Sequence, residues 1–170
     1  MKRILLCLAA LAGIFGASAP PYGMAAQLGL SPLYASGEWL NGVAGPRTLR
    51  GKVVVLDVFT FGCYNCRNVT PNLRQLRAQE PANDFAIVGI HAPETPFESN
   101  RANLVRNLKL LGITWPVRID NDFGVWREYG VTAWPTQLIF DRKGKLRKTI
   151  VGDSQDADVN AAVLQLLAEH

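Results

Sequence analysis

The feature that most constrains the fold is an apolar run that leads directly into two cysteines. Residues 52–61 read KVVVLDVFTF, a nearly continuous series of β-branched and apolar residues that is typical of a strand covered on both faces. Cys63 and Cys66 follow, and over residues 63–79 the apolar positions recur at helical spacing. A buried strand that ends in a Cys-x-x-Cys helix predicts an α/β fold with both sulfurs at the start of that helix.

The spacing of the two cysteines gives them different chemical roles. Cys63 lies at the helix N-terminus, where free backbone N–H groups and the helix macrodipole stabilise a thiolate. Cys66 lies about one turn further along, on the same side of the helix. We therefore expect Cys63 to be the exposed nucleophile and Cys66 to be the sheltered thiol that resolves a mixed disulfide.

The rest of the chain alternates between strand and helix patterns. Further strands are predicted at residues 84–92 and 115–120 and, as a hairpin about a tight turn, at residues 136–152. Further helices are predicted at residues 96–112, 123–130 and 156–170, the last capped by Asp153 or Ser154. These patterns predict a central mixed β-sheet with helices on both faces.

A β-hairpin is predicted at the beginning of the folded region. Residues 38–49 read EWLNGVAGPRTL, in which Asn-Gly and Gly-Pro separate short apolar pieces. Residues 26–37 have no sustained period and several breakers, so they predict a linker or loose N-terminal arm. We expect a single domain over residues 38–170.

The first 25 residues have the pattern of a secretory signal peptide. Lys2 and Arg3 precede an uncharged apolar run of about 12 residues, and small residues precede a cleavage position after Ala25. A membrane-spanning helix needs about 20 apolar residues, so retention as an anchor is the less favoured alternative. The pattern predicts a periplasmic or secreted protein.

Charge and cysteine content narrow the function further. The composition is globular, with 48% hydrophobic and 19% charged residues. Loss of the signal peptide reduces the 18 basic residues to 16 against 14 acidic ones, a net charge of +2, so no nucleic-acid partner is expected. It also removes Cys7, which leaves Cys63 and Cys66 in a compartment where disulfides form.

The residues alone leave other chemistries open to the pair. A static disulfide would close a loop so short that it removes little entropy from the unfolded chain. A copper-handling protein could add His91 to the two thiolates. A thiol peroxidase could use Thr60, which stands three residues before Cys63.

Residues beyond the cysteines carry a resemblance to a known family. Asp57 lies six residues before the first cysteine, Pro71 lies five after the second, and Trp134, Pro135 and Thr136 precede a distant apolar strand. These spacings resemble those of the thioredoxin superfamily. The resemblance implies a thioredoxin-like fold in which buried Asp57 accepts the proton of the second cysteine and Pro135 is a cis-proline.

The resemblance narrows to periplasmic thiol:disulfide oxidoreductases of the TlpA/ResA branch. A β-α insertion between the cysteine helix and the proline loop resembles that branch, and residues 89–98 and 120–135 are similar to the thioredoxin-like domain of DipZ-type proteins. Gly62 replaces a tryptophan common in the family. The resemblance and the topology together predict substrate contacts by Trp134, Thr136, Tyr64 and His91.

The predicted function is the reduction of disulfides in exported proteins, such as apocytochrome c. The partners are proteins with disulfides or thiols, and the redox-active disulfide of Cys63 and Cys66 requires no bound cofactor or metal. A reductant in an oxidising compartment must be recharged, and the resemblance implies a membrane thiol carrier of the DsbD/CcdA type as a separate protein. Disulfide oxidase or isomerase activity is the alternative within the same chemistry, and a monomer is expected.

Overall fold

A single mixed β-sheet organises the protein in the computed structural model, which describes residues 29–169. Its six strands lie in the order β1-β4-β3-β2-β5-β6. The strands are β1 (Trp39–Leu40), β2 (Val53–Phe59), β3 (Phe85–His91), β4 (Val117–Ile119), β5 (Thr136–Phe140) and β6 (Leu146–Val151). Strands β2, β3 and β4 are parallel, whereas β5 runs antiparallel to both β2 and β6. The strand that leads to the cysteines therefore lies inside the sheet.

Helices cover both faces of the sheet, as predicted. They are α1 (Pro46–Leu49), α2 (Tyr64–Gln79), α3 (Pro96–Ser99), α4 (Arg101–Leu111), α5 (Gly124–Glu128) and α6 (Asp156–Ala168). Apolar residues of α2, α4 and α6 pack on the face that carries Val53 and Val55, and those of α1 and α5 pack on the face that carries Val54 and Leu56. Every residue of β2 is buried, which explains its nearly unbroken apolar sequence.

The predicted N-terminal hairpin does not form. Strand β1 has two residues and pairs with β4 instead of with the chain that follows it. Asn41 turns the chain at φ 57°, but its side chain donates hydrogen bonds to the carbonyls of Ile113 and Trp115, at 2.9 and 3.3 Å, and so holds the turn beside β4. Pro46 then opens α1, because its fixed φ suits the first residue of a helix.

Part of the arm predicted over residues 26–37 packs against the domain, because Leu30 and Leu33 are buried while residues 35–37 stay exposed, so the prediction of a loose arm is wrong for the segment around Leu30 and Leu33. A 3-10 helix (Ser31–Tyr34) buries Leu33 completely. The guanidinium of Arg118 on β4 donates to the carbonyls of Leu33, Ala35 and Ser36. The predicted signal peptide lies outside the described residues. Within them, no helix is long and apolar enough to cross a membrane.

Two helix boundaries differ from the predictions. The single helix expected over residues 96–112 is divided into α3 and α4 at Asn100, whose side chain accepts hydrogen bonds from the first turn of α4. Helix α6 follows Gln155 and has no side-chain cap, because Ser154 instead turns the chain at φ 61°.

Candidate active site

The two cysteines lie at the edge of the sheet where β2 and β3 end and β5 begins. Strands β2 and β3 are parallel, and β5 is antiparallel to β2, with Thr136 opposite Val58. The loop after β2, which contains Cys63, therefore meets the loop before β5, in which the Trp134–Pro135 peptide is cis as predicted. The topology brings together two segments that are far apart in sequence.

Both cysteines are free thiols with different exposure. Cys63 is half-buried, whereas Cys66 is 3% exposed. The Cys63 Sγ caps α2 by accepting a hydrogen bond from the Cys66 N–H at 3.2 Å, and the Cys63 N–H donates to the Thr60 carbonyl at 3.3 Å. This geometry matches the predicted division between an accessible nucleophile and a sheltered resolving thiol.

Asp57 places a carboxylate on the face of β2 that Cys66 covers. The side chain is 1% exposed, and burial raises its pKa to about 6. Burial also raises the pKa of the Cys66 thiol, and the hydrogen bond with Cys63 and the negative charge of Asp57 raise it further. A carboxylate that titrates near neutrality beside a thiol that ionises with difficulty can accept the proton of that thiol.

His91 is buried beneath the site, so the prediction that it lines the substrate groove is wrong. Its ring stacks on Phe61 at a centroid distance of 5.5 Å and an interplanar angle of 11°, and it meets Phe59 edge-on at 5.5 Å. Burial lowers its pKa to about 4, so the ring is neutral near pH 7. The physical reason is its position in β3, in register with Phe59, where the loop after β2 folds over the strand end.

The same geometry bears on the copper and peroxidase hypotheses. Residues 29–169 contain no group of three or more His, Cys, Asp and Glu side chains that could hold a metal, so the three-ligand site that includes His91 does not form. Thr60, the residue on which the peroxidase hypothesis depends, is fully buried, and its Oγ1 lies 3.3 Å from His91 Nε2. The copper hypothesis therefore loses its third ligand, whereas the Thr60 hydroxyl contacts His91.

Two of the predicted substrate contacts are accessible and one further contact is not. Tyr64 follows the nucleophile directly and is 70% exposed, and Trp134 is half-buried. Thr136 is 2% exposed, and its hydroxyl donates to the Ala133 carbonyl at 2.7 Å. The prediction that the Thr136 side chain contacts substrate is wrong, because this residue already pairs within the sheet on both sides.

An aromatic cluster that no motif marks holds Trp134 in place. Trp126 packs against Trp134 at a centroid distance of 4.4 Å, and Phe123 meets the two rings at 5.7 and 6.3 Å. The Trp134 Nε1 donates to the Ala92 carbonyl at the end of β3, at 3.0 Å. The ring beside Pro135 is thus fixed by packing and by a hydrogen bond.

Two further buried polar side chains contact the site. Gln137 lies opposite Asp57 in register, and its Nε2 donates to Asp57 Oδ1 at 2.9 Å. The Glu98 Oε2 accepts hydrogen bonds from the backbone of Glu94 and Thr95 at 2.6 and 3.0 Å, while a Cβ added at Gly62 would overlap Glu98 Oε1. A larger residue at position 62 would therefore have to displace the Glu98 carboxylate from this position. In the sequence, the one indication of a role for Gln137 is that it is a polar residue within the apolar run TQLIF.

Comparison with known proteins identifies the family. The sequence model of the redoxin family matches residues 45–166. The chain belongs to the redoxin family. This redoxin is 30% identical over 133 residues to Protein DipZ of Mycobacterium tuberculosis, a match that covers 76% of the chain but 19% of DipZ. It is 27% identical over 110 residues to the thiol-disulfide oxidoreductase ResA of Geobacillus thermodenitrificans, covering 65% of the chain and 60% of ResA.

A thioredoxin-like superfamily protein of solved structure, similar with a TM-score of 0.69 at 26% identity over 78% of this chain and 92% of that one, confirms the predicted thioredoxin-like fold. A thiol-disulfide isomerase from Corynebacterium glutamicum is similar with a TM-score of 0.70 at 25% identity, over 78% of this chain and 92% of that one. These similarities confirm that the chain is a TlpA/ResA-like member of the thioredoxin superfamily. ResA is named as a thiol-disulfide oxidoreductase and the Corynebacterium protein as a thiol-disulfide isomerase.

Proposed function

We propose that this redoxin reduces disulfides of exported proteins outside the cytoplasm. The observation that carries the proposal is the arrangement of three residues: half-buried Cys63 at the start of α2, sheltered Cys66, and the buried carboxylate of Asp57. This arrangement separates the thiol that meets the substrate from the thiol that ends the reaction.

The reaction transfers two electrons in two exchange steps. The Cys63 thiolate attacks one sulfur of the substrate disulfide, the S–S bond breaks, and the other substrate sulfur leaves as a thiolate. Cys66 then attacks the Cys63 sulfur while Asp57 takes the Cys66 proton, and the second substrate sulfur leaves. The substrate ends with two thiols and the redoxin with a disulfide of Cys63 and Cys66, so the exchange uses no bound cofactor.

The substrate segment lies between Tyr64 and Trp134, beside Pro135. Support comes from exposed Tyr64 at the start of α2 and half-buried Trp134 in the loop before β5, which meet at the carboxyl end of β2. The Trp134 ring is held by Trp126 and by Ala92, which reduces the entropy that it loses when a substrate binds. Apolar side chains next to the substrate cysteine suit these two rings.

The biological setting follows from the proposed direction of electron flow. A reductant in an oxidising compartment must be reduced again after each turnover, and a membrane thiol carrier of the DsbD/CcdA type fits that need. Apocytochrome c is a suitable class of target, and the redoxin acts as a monomer. The signal-peptide pattern of residues 1–25 and the similarity to ResA support this setting.

The test is the redox state and the captured partners of the protein in cells that produce it. Acid quenching followed by alkylation of free thiols should show mostly reduced wild-type protein, and Cys66→Ala should accumulate discrete mixed disulfides through Cys63. The matched control, Cys63→Ala with Cys66→Ala, should capture nothing. A fully oxidised wild-type protein that captures reduced substrates would instead identify an oxidase.

A further inference from the structure

We propose that Gln137 is a positioning residue for the resolving step, whose amide holds Asp57 both before and after the carboxylate takes the Cys66 proton. The inference rests on the proposed function, because it concerns the proton acceptor of that reaction. It assigns a role to a residue that belongs to no recognised motif and does not touch the reacting sulfurs.

The position of Gln137 is fixed by the sheet register. Asp57 on β2 faces Gln137 on the neighbouring strand β5, and alternation along both strands directs the two side chains to the face that α2 and α6 cover. Both residues are almost completely buried. The amide hydrogen bond at 2.9 Å is the only one that reaches the Asp57 carboxylate from the described residues.

Among residues 29–169, no charged side chain competes with the amide for this role. On β3 the residue in register with Asp57 is Gly89, which has no side chain. Helix α2 contributes the cysteine thiols, and its arginines are exposed; the carboxylates around the start of α6, at Asp153, Asp156 and Asp158, are all at least partly exposed. The neutral amide is therefore the polar group that orients the carboxylate.

The oxygen end of the Gln137 amide explains how this residue can hydrogen-bond to Asp57 in both protonation states of the carboxyl group. Within residues 29–169 the Gln137 Oε1 is buried and has no hydrogen-bond partner. An ionised Asp57 accepts from Nε2, whereas a protonated Asp57 has an O–H that must donate. A half-turn of the amide brings Oε1 to that O–H, so a hydrogen bond is kept after the proton moves from Cys66 Sγ to Asp57. A leucine at this position offers neither end and leaves a buried carboxylate unpaired.

The experiment follows the resolving step directly. The reduced protein is treated with dithiobis(nitrobenzoate), which forms a mixed disulfide on Cys63, and release of the second thionitrobenzoate then reports attack by Cys66. In the wild type the release rate should rise with pH through the pKa of Asp57, about 6. Gln137→Leu should move this midpoint up by about one pH unit, which lowers the rate about fivefold at pH 6 and leaves it nearly unchanged at pH 8.5.

Controls separate positioning from packing. Ile139→Leu alters the same face of β5 without changing the amide and should leave the midpoint within about 0.2 pH units. Gln137→Leu added to Asp57→Asn should have no further effect on the pH profile. Gln137→Met, whose unbranched side chain approximates glutamine in size, provides a second variant that should reproduce the shift.

The outcomes distinguish this inference from the proposed function. The positioning role is overturned if Gln137→Leu slows the release equally at every pH, or if Ile139→Leu shifts the midpoint as much as Gln137→Leu does. In either case the proposed function stands, provided that Asp57→Asn abolishes the pH dependence. If Asp57→Asn itself releases thionitrobenzoate with the wild-type profile, Asp57 is not the proton acceptor and the proposed mechanism fails instead.

Discussion

Replacement of Asp57 by asparagine should make the reduced protein more stable while it slows the resolving step. Burial raises the pKa of Asp57 from an ordinary value of 3.8 to about 6. Each pKa unit corresponds to about 1.4 kcal/mol, so the ionised carboxylate destabilises the fold by about 3 kcal/mol above pH 7. Asparagine has nearly the same shape and no charge, and it should recover most of this free energy.

The size of the effect depends on pH in a defined way. An acid whose pKa is higher in the folded state binds more protons when folded, here between pH 3.8 and about 6. The contribution of Asp57 to wild-type stability therefore falls as the pH rises through that interval. The variant should exceed the wild type by about 3 kcal/mol at pH 8 and by close to zero at pH 3.5.

The assay is urea unfolding of both proteins under reducing conditions across that pH range. Titration of His91 contributes to each curve but cancels in the difference between the two proteins. Asp120→Asn is a matched control, because that carboxylate is also buried but accepts backbone N–H groups of Val125 and Trp126 at 2.9 Å. It should destabilise by about 1 to 3 kcal/mol. A constant difference between Asp57→Asn and the wild type at all pH values would refute the reasoning.

Three further substitutions test separate parts of the site. Gly62→Ala should lower the melting temperature in a thermal scan by several degrees, a loss of about 1 to 2 kcal/mol in stability, because the new Cβ displaces the Glu98 carboxylate. Adding Glu98→Ala should reverse part of the loss, and an unchanged melting temperature in Gly62→Ala would contradict this reasoning. Trp134→Ala should raise KM for insulin several-fold, whereas the rate at which the variant reduces dithiobis(nitrobenzoate) should stay within twofold of the wild-type rate. Equal loss of activity towards both substrates would show that Trp134 does not bind substrate. His91 has its pKa lowered from 6.5 to about 4, so the folded state binds fewer protons in that interval and stability is lost as the pH falls through it. As the pH falls from 7 to 4, the free energy of unfolding of His91→Leu in urea should increase by about 3 kcal/mol relative to that of the wild type. A decrease relative to the wild type would contradict the burial argument.

Local sequence patterns were sufficient to predict the centre of the fold and the chemistry. The apolar run of β2 predicts burial on both faces, so a carboxylate within it, at Asp57, had to be buried as well. The Cys-x-x-Cys spacing at a helix start predicts the unequal exposure of Cys63 and Cys66. Each of these predictions depends on neighbours in the chain, and each agrees with the structure.

Features that depend on contacts between distant segments were not predictable in the same way. His91 ends a strand on the side of the cysteines, but the loop that carries Phe61 folds over it and stacks on its ring. The Asn-Gly pair turns the chain as expected, yet Asn41 bonds to the chain before β4 and no second strand forms. The role proposed for Gln137 depends on the register between β2 and β5, which places it opposite Asp57.

The most direct test of the central claim is mass spectrometry of the purified, reduced protein during reaction with insulin. The account predicts that the wild type ends about two mass units lighter, with the Cys63–Cys66 disulfide formed and the insulin disulfides reduced. Cys66→Ala should stop as a covalent adduct through Cys63, and Cys63→Ala should not react. An adduct on Cys66, or full turnover without Cys66, would contradict the assignment of Cys63 as nucleophile and Cys66 as resolving thiol.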